Sequence, residues 1–336
     1  MTSAAPLAVT LGDPAGVGPE IVVKAWRALQ GETPFLVVGD AACLRSAPGA
    51  RDVPVQPIGA PDQAARVFPD AIPVLNQPLS APVVAGQPSP DHAKAIIGWI
   101  ETAVGLTLTG AVSGVVTAPI AKAPLYAAGF PFPGHTEFLA ELTAAENQPG
   151  ARGPVMMLAA DGLRVALATI HTPLARVSAT LTVEGLVNAG LITAQALRRD
   201  FGIAAPRLAV AGLNPHAGEA GGIGREEIEV IEPAVRALLH LGVEARGPAP
   251  ADTLFHPEAR ATYDAVLCMY HDQGLIPLKM LDFWGGVNVT LGLPIVRTSP
   301  DHGTGFDMAG RGLARADSLI NAVRMARGIA ARRAAA

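Results

Sequence analysis

The chain has 336 residues, 50% of them apolar but only 4% aromatic, with a net charge of −4. That length exceeds the size at which one core keeps growing, so two lobes of an α/β protein are expected, filled by Ala, Val, Leu and Ile rather than by large rings. Mild acidity, with the 25 Lys and Arg scattered rather than clustered, excludes a polyanionic partner such as nucleic acid.

The start, Met1 to Leu11, lacks the basic and long apolar stretches of a signal peptide and runs into a first strand over Leu7 to Leu11. The segment LGDPAGVGPE at 11–20 follows, ahead of a helix over Ile21 to Leu29. Its amides either face an anion at a helix start or simply make a tight turn. Gly16 and Gly18 match two glycines of a dinucleotide fingerprint, but Ile21 stands where the third belongs and no Gly-Lys-Ser/Thr follows. The loop is therefore neither a Rossmann fingerprint nor a P-loop. Gly12 and Asp13 are its candidate cofactor contacts.

A strand over Phe35 to Val38 leads into residues 53–90, where Pro, Gly and Gln interrupt every candidate element. A flap or a long surface loop is expected there. Residues 91–108 read as a helix and 112–116 as a strand; Thr107, Thr109, Gly110, Ser113 and Gly114 break the apolar stretch and argue against a membrane span. PGHTE at 133–137 enters a helix over Glu137 to Leu142. There His135 and Thr136 bind an anionic group, or Thr136 caps the helix.

Strands follow at 155–158, 164–168, 208–211 and 265–269, alternating with helices at 183–201 and 226–241. Such alternation argues for a mostly parallel sheet with helices on both faces. Three apolar runs end close to histidines, His171, His216 and His271. Ligands of open α/β sheets collect beyond the carboxyl ends of strands, and three imidazoles would bind a divalent cation with positions left for substrate. Three unrelated histidines are the alternative. Cys268 alternates away from His271 along its strand and reads as a small buried hydrophobe. With Cys43 it makes too few cysteines for a disulfide framework, which points to a reducing cytoplasm.

Residues 247–257 form a second interrupted stretch, and Asp252 within it, like Asp272, is a candidate proton acceptor or an ordinary surface or capping group. Lys279, Asn288 and Arg297 are isolated polar groups in apolar surroundings, suited either to the surface or to a phosphate or carboxylate. The glycine-rich stretch 299–310 suits backbone contacts to an adenine nucleotide, with Asp301, Gly303 and Thr304 as candidates. A last helix over Ala316 to Ala330 precedes an alanine-rich tail, Ala330 to Ala336, expected to fray.

Six blocks stand out in order: LGDPAGVGPE at 11–20, VTAPIAKAPL at 116–125, PGHTEF at 133–138, LNPHAGE at 213–219, YHDQGLIPLK at 270–279 and DHGTGFDMAG at 301–310. Taken together they resemble the 4-hydroxythreonine-4-phosphate dehydrogenase family of pyridoxal phosphate biosynthesis. The resemblance covers nearly the whole chain. It implies a two-lobed α/β/α fold similar to isopropylmalate dehydrogenase, with a non-Rossmann nucleotide site. Residues 1–130 with 300–336 would form one lobe and 131–299 the other, carrying most ligands, with a cleft between them. It further implies His171, His216 and His271 as ligands of one divalent ion (Zn, Mg, Co or Mn) and His135, Thr136, Lys279, Asn288 and Arg297 as contacts of a phosphorylated substrate. It also implies a homodimer that supplies the third histidine across its interface. After Glu219 the family often has Gly and His where this chain has Ala220, Gly221, Gly222 and Ile223, so that loop departs from the pattern.

The implied activity is NAD- or NADP-dependent oxidation of 4-phosphooxy-L-threonine at C3 to 2-amino-3-oxo-4-phosphooxybutanoate, which decarboxylates to 3-amino-2-oxopropyl phosphate. Rival readings are a dehydrogenase of erythronate or threonate 4-phosphate, a three-histidine metallohydrolase, and a metal-free acyl or phosphoacyl transferase on a similar scaffold.

Overall fold

Short aliphatic runs bounded by Gly, Pro or Asp, such as LAVT and FLVVG, form fully buried strands in a computed structural model that describes residues 5–335. Residues 1–4 and 336, the ends of the expected first lobe and tail, lie outside the described residues. In chain order the strands are β1 (Leu7–Thr10), β2 (Phe35–Gly39), β3 (Val55–Pro57), β4 (Ile72–Asn76), β5 (Val115–Thr117), β6 (Val155–Ala160), β7 (Leu163–Leu167), β8 (Arg207–Ala211), β9 (Glu244–Ala249), β10 (Ala265–Cys268), β11 (Val287–Leu291) and β12 (Arg297–Pro300). The chain divides into two units, one of residues up to Glu146 with Pro294–Ala334, the other chiefly Asn147–Leu293.

In the first unit the strand order is β3-β4-β2-β1-β5-β12, and every pairing is parallel. The few aromatics serve as fixed plugs: Phe68 packs edge-on against Phe35 and Trp26, and Trp26 and Trp99 donate their indole N–H groups to the carbonyls of Phe68 and Gln77. Residues 53–90 are not one open loop. They hold β3, β4 and the short helical turns Pro61–Gln63 and Ala64–Val67, with Ile72 and Val74 buried. Pro54, Pro57 and Pro73 read as breakers in the sequence, yet β4 pairs on both sides.

The helix His135–Leu142 and Arg297 belong to the first unit, not to the second as the 131–299 grouping had them. Phe138 packs on Phe130 and Phe132 at ring separations of 5.0 and 5.2 Å, and Leu139 is fully buried. The final helix, Asp317–Ala335, runs through the alanine-rich tail instead of fraying before it. Ile329 and Ala330 are buried there, and Arg333 donates to the Pro294 carbonyl.

The second unit orders its strands β11-β6-β7-β10-β8-β9. β6 and β7 form a hairpin through Asp161 and Gly162, both with positive φ as a tight primed turn requires, and β11 adds antiparallel to β6. The remaining pairings are parallel. Cys268 is fully buried among Val165, Leu167, Val266 and Leu278, and burial pushes its thiol far above its ordinary range, so it is a core hydrophobe as read from sequence. The interrupted stretch from 247 begins inside β9, an edge strand where the missing N–H of Pro248 is tolerated. The helix expected over 226–241 is split into a π turn at Glu227–Ile231 and an α-helix at Glu232–His240, because Pro233 offers no N–H to the preceding turn. No single described helix is long and apolar enough to cross a membrane.

Candidate active site

β12 opens on Arg297, 3% exposed, whose Nη2 donates to Thr117 Oγ1 at 2.7 Å at the end of β5. Burial draws the guanidinium down to about 10, so it remains a cation at neutral pH. His135 starts the helix that follows the Phe130 to Gly134 loop, and Tyr126 Oη fixes that loop by donating to the Pro133 carbonyl at 2.9 Å. Gly134 is the N-cap and no side chain caps the helix, so Thr136 is a helical residue rather than a cap. First-turn amides of this kind are donors for an anion. His135 Nε2 is buried without a hydrogen-bond partner. Burial above all, and then the charges of Arg297 and Lys122, holds the imidazole well below its ordinary 6.5, in the neutral form.

Lys122 was not among the residues singled out from sequence. It starts the helix Lys122–Ala127, and a Cβ built on Gly134 would lie 3.5 Å from its Nζ. A lone lysine in the apolar block VTAPIAKAPL carried the same signal that marked Lys279. Two cations, a neutral imidazole and a helix start make a setting suited to a phosphate dianion.

The five cofactor candidates also fall in this unit. Gly12 has φ +73°, and a Cβ there would meet the Pro119 carbonyl at 2.5 Å. Asp13 is buried, accepts from Ala15 N through Oδ1 at 3.0 Å, and is raised from its usual range chiefly by desolvation. The amides of Asp13, Gly16 and Val17 are spent on the carbonyls of Pro119, Asp13 and Thr304. Much of the loop's donor capacity therefore holds the loop itself and binds it to the segment of Thr304. Asp301 N donates to Ser318 Oγ, while Gly303 is exposed with open space about it. Glu20, closing the GVGPE motif, accepts from the amides of Gly312 and Ala314, so that glutamate fastens the glycine-rich stretch to the helix Gly18–Leu29. A pocket of about 260 Å³ lies between these pieces, lined by Gly16, Pro19, Cys43, Ala85 and Gly310 among others.

In the second unit, parallel pairing of β7 with β10 puts Leu167 opposite Cys268, and Thr169 Oγ1 donates to the Met269 carbonyl at 2.7 Å. The two chains leave their strands side by side, which brings the rings of His171 and His271 to a centroid separation of 6.2 Å. His271 Nδ1 meets Asp272 Oδ1 at 2.7 Å. With the proton on Nδ1, Nε2 keeps its lone pair for a ligand role, the arrangement that a metal-binding imidazole favours. Asp272 therefore orients His271, and Asp252 is exposed in the turn Ala251–Thr253. Gln273, also missed in the sequence, accepts from Met269 N and donates to the Gly212 carbonyl, tying the end of β10 to the end of β8. Lys279 Nζ lies 5.3 Å over the Phe283 ring, and Asn288, on β11, has a buried Oδ1 with no hydrogen-bond partner.

Among the described residues no three His, Cys, Asp or Glu side chains gather closely enough to hold a metal ion. His216 opens a run of six residues with positive φ that reaches Gly221, four of them not glycine. Each non-glycine in that region costs about 1–2 kcal/mol, so the surroundings must over-determine the turn. Gly218, at φ +79°, is the position where a side chain is excluded outright, since a Cβ would lie 2.6 Å from Glu227 Oε2. Glu226 nearby is drawn down to about 2, first by the Ser178 hydroxyl and then by Asn214, and stays ionised through the neutral range.

The family model described as pyridoxal phosphate biosynthetic protein PdxA matches residues 31–326. The 4-hydroxythreonine-4-phosphate dehydrogenase of Caulobacter vibrioides is 71% identical over 98% of this chain and 98% of that protein. Its namesake from Maricaulis maris is 53% identical over 99% of this chain and 100% of that protein. Among solved structures, the 4-hydroxythreonine-4-phosphate dehydrogenase of Klebsiella pneumoniae superposes with a TM-score of 0.85 at 40% identity, covering 97% of this chain and 98% of that one.

Proposed function

The chain belongs to the PdxA family of pyridoxal phosphate biosynthesis, whose members are dehydrogenases, and on that premise we propose that it oxidises the C3 hydroxyl of 4-phosphooxy-L-threonine with NAD or NADP. The observation that carries this reading is the convergence of Arg297, Lys122 and a neutral His135 at the start of one helix. A phosphate monoester is the natural occupant of such a group. Thr136 and its neighbouring amides add donors from the same helix.

His171, His216 and His271 would hold the divalent ion, and their three nitrogens favour zinc, cobalt or manganese over magnesium. When bound, the ion supplies Lewis-acid stabilisation of the negative charge that develops on the substrate hydroxyl oxygen. The chain's own task is to fix the C3 hydrogen toward the nicotinamide, since hydride acceptance is the cofactor's chemistry. Gly12, Asp13, Asp301, Gly303 and Thr304 would frame that cofactor, beside the pocket lined by Gly16 and Gly310. The product, 2-amino-3-oxo-4-phosphooxybutanoate, is a β-keto acid and loses carbon dioxide to give 3-amino-2-oxopropyl phosphate without a dedicated base.

A homodimer is part of the reading. Ile276, Met280, Phe283 and Trp284 are 63%, 81%, 60% and 50% exposed on and just after the helix that starts at His271. Large apolar side chains so concentrated mark a contact surface, here for a second copy that completes the histidine set. The free thiols of Cys43 and Cys268 accord with a reducing, cytoplasmic setting.

The test is a substrate panel followed by NADH absorbance, with 4-phosphooxy-L-threonine against erythronate and threonate 4-phosphates. The expected result is the largest kcat/KM for the amino acid. Faster turnover of a sugar acid overturns the assignment, and no nicotinamide reduction with any of them favours the hydrolase reading.

A further inference from the structure

The left-handed run that carries His216 is fastened by two adjacent carboxylates. Glu227, 1% exposed, accepts from Leu213 N and Asn214 N through Oε1 at 2.7 Å each, and from Asn214 Nδ2 through Oε2 at 2.9 Å. Glu226 takes the other proton of that amide at 2.7 Å, and its second oxygen accepts from Ser178 Oγ at 2.5 Å. Ser178 lies on the helix Leu174–Thr180, which begins three residues after His171. One carboxylate pair thus grips both segments that carry these histidines. The grip is close: Asn214 also packs against Gly224 so tightly that any Cβ there would strike its amide.

A turn with four non-glycine residues at positive φ would relax once its amide partners were lost. His216 is the first residue of that turn. We propose that Glu226 and Glu227 are positioning residues that set the place of His216 relative to His171, and thereby the affinity and geometry of the divalent-cation site. This deepens, and rests on, the three-histidine reading above. Neither carboxylate needs to touch the ion. They act through Asn214, as partners behind metal ligands generally do.

The test uses the full chain, freed of metal by chelation and titrated with Co²⁺, read by calorimetry and by the visible d–d absorption of the bound ion. Glu227→Gln and Glu226→Gln are each expected to weaken Co²⁺ binding about 10–100-fold, and Ser178→Ala by a factor near the low end of that range. The d–d band should shift in all three while far-ultraviolet circular dichroism stays that of the parent. A purely structural role would lower the melting temperature and leave the spectrum of the folded fraction alone. Should Glu227→Gln fail to fold, Glu226→Gln and Ser178→Ala, at less buried positions, still decide the matter. Parent affinity and spectrum in those two overturn the positioning role. His216→Ala separates the two claims: if it loses Co²⁺ while the carboxylate variants keep it, only the positioning role falls. If it binds Co²⁺ as the parent does, the histidine reading falls and takes the positioning role with it.

Discussion

Arg297 and His135 of the first unit are held inside one chain, buried or half-buried, the arginine against Thr117 and the imidazole neutral beside it. In the second unit His171 and His216 are exposed on turns past strand ends, and the rings of His171 and His271 lie 6.2 Å apart. If the first group takes the phosphate and the second the metal, as we propose, the phosphate end is preorganised by the core of its own unit, whereas the metal end rests on a strained turn, carboxylate fastenings and a second copy. Preorganisation of the first kind resists mutation elsewhere, whereas a site of the second kind is lost by several independent routes.

The largest effect should come from breaking the metal end alone. His171→Ala, or chelation of the parent, is expected to lower turnover by about 10³-fold or more, because stabilisation of developing charge is lost. Calorimetric titration with inorganic phosphate should be unchanged in the same samples. Equal weakening of phosphate binding would erase the contrast. The converse is Arg297→Ala, which should weaken inorganic phosphate about 10²-fold and leave Co²⁺ affinity as in the parent. Arg297→Lys should recover little, since a buried ammonium cannot reproduce the guanidinium fork.

Dependence on a second copy is sharpened by Met280→Glu, alone and with Ile276→Glu. Charges on so exposed an apolar surface should raise the dimer dissociation constant by about 10²-fold, read by sedimentation, and activity should fall in step with dissociation. A stable, active monomer would show that the histidine set closes within one chain. Lys122→Ala should do less: the side chain is exposed, so KM should rise only about 3–10-fold with kcat nearly kept.

The sequence made the first of these two regions easier to read than the second. Leu7 to Leu11, Leu208 to Ala211 and Ala265 to Met269 announced their strands because β-branched and aliphatic runs between turn residues admit few other structures. β3, β4 and β9 were hidden by prolines that the ladders tolerate. His135 stood out at a helix entry and Arg297 as a polar group in apolar surroundings, and burial shifts both side chains, the imidazole with the Arg297 charge acting on it. Lys122 escaped notice although it obeyed the same rule. The left-handed turn at His216 was illegible: its alanines and glutamate carry no preference for positive φ, and the carboxylates that fasten it, Glu226 and Glu227, lie more than ten residues beyond Leu213. Tertiary contacts of this range leave no local mark.

The finest distinction concerns the protonation state of His135. Its folded value lies well below 6.5, chiefly through burial, so below that pH the unfolded chain binds a proton that the folded chain refuses. Stability from this group is therefore complete above 6.5 and is lost as pH falls from there toward the depressed folded value. Between about pH 7.5 and pH 5.5 the melting temperature of the parent should fall more than that of His135→Gln, by roughly 2 °C. Phosphate should shrink the difference, because a bound dianion favours the imidazolium and returns part of the cost of burying it. A His135→Gln protein that tracks the parent across the same range would mean that the imidazole is hydrated and free to charge, and the first unit would lose its claim to be the preorganised one.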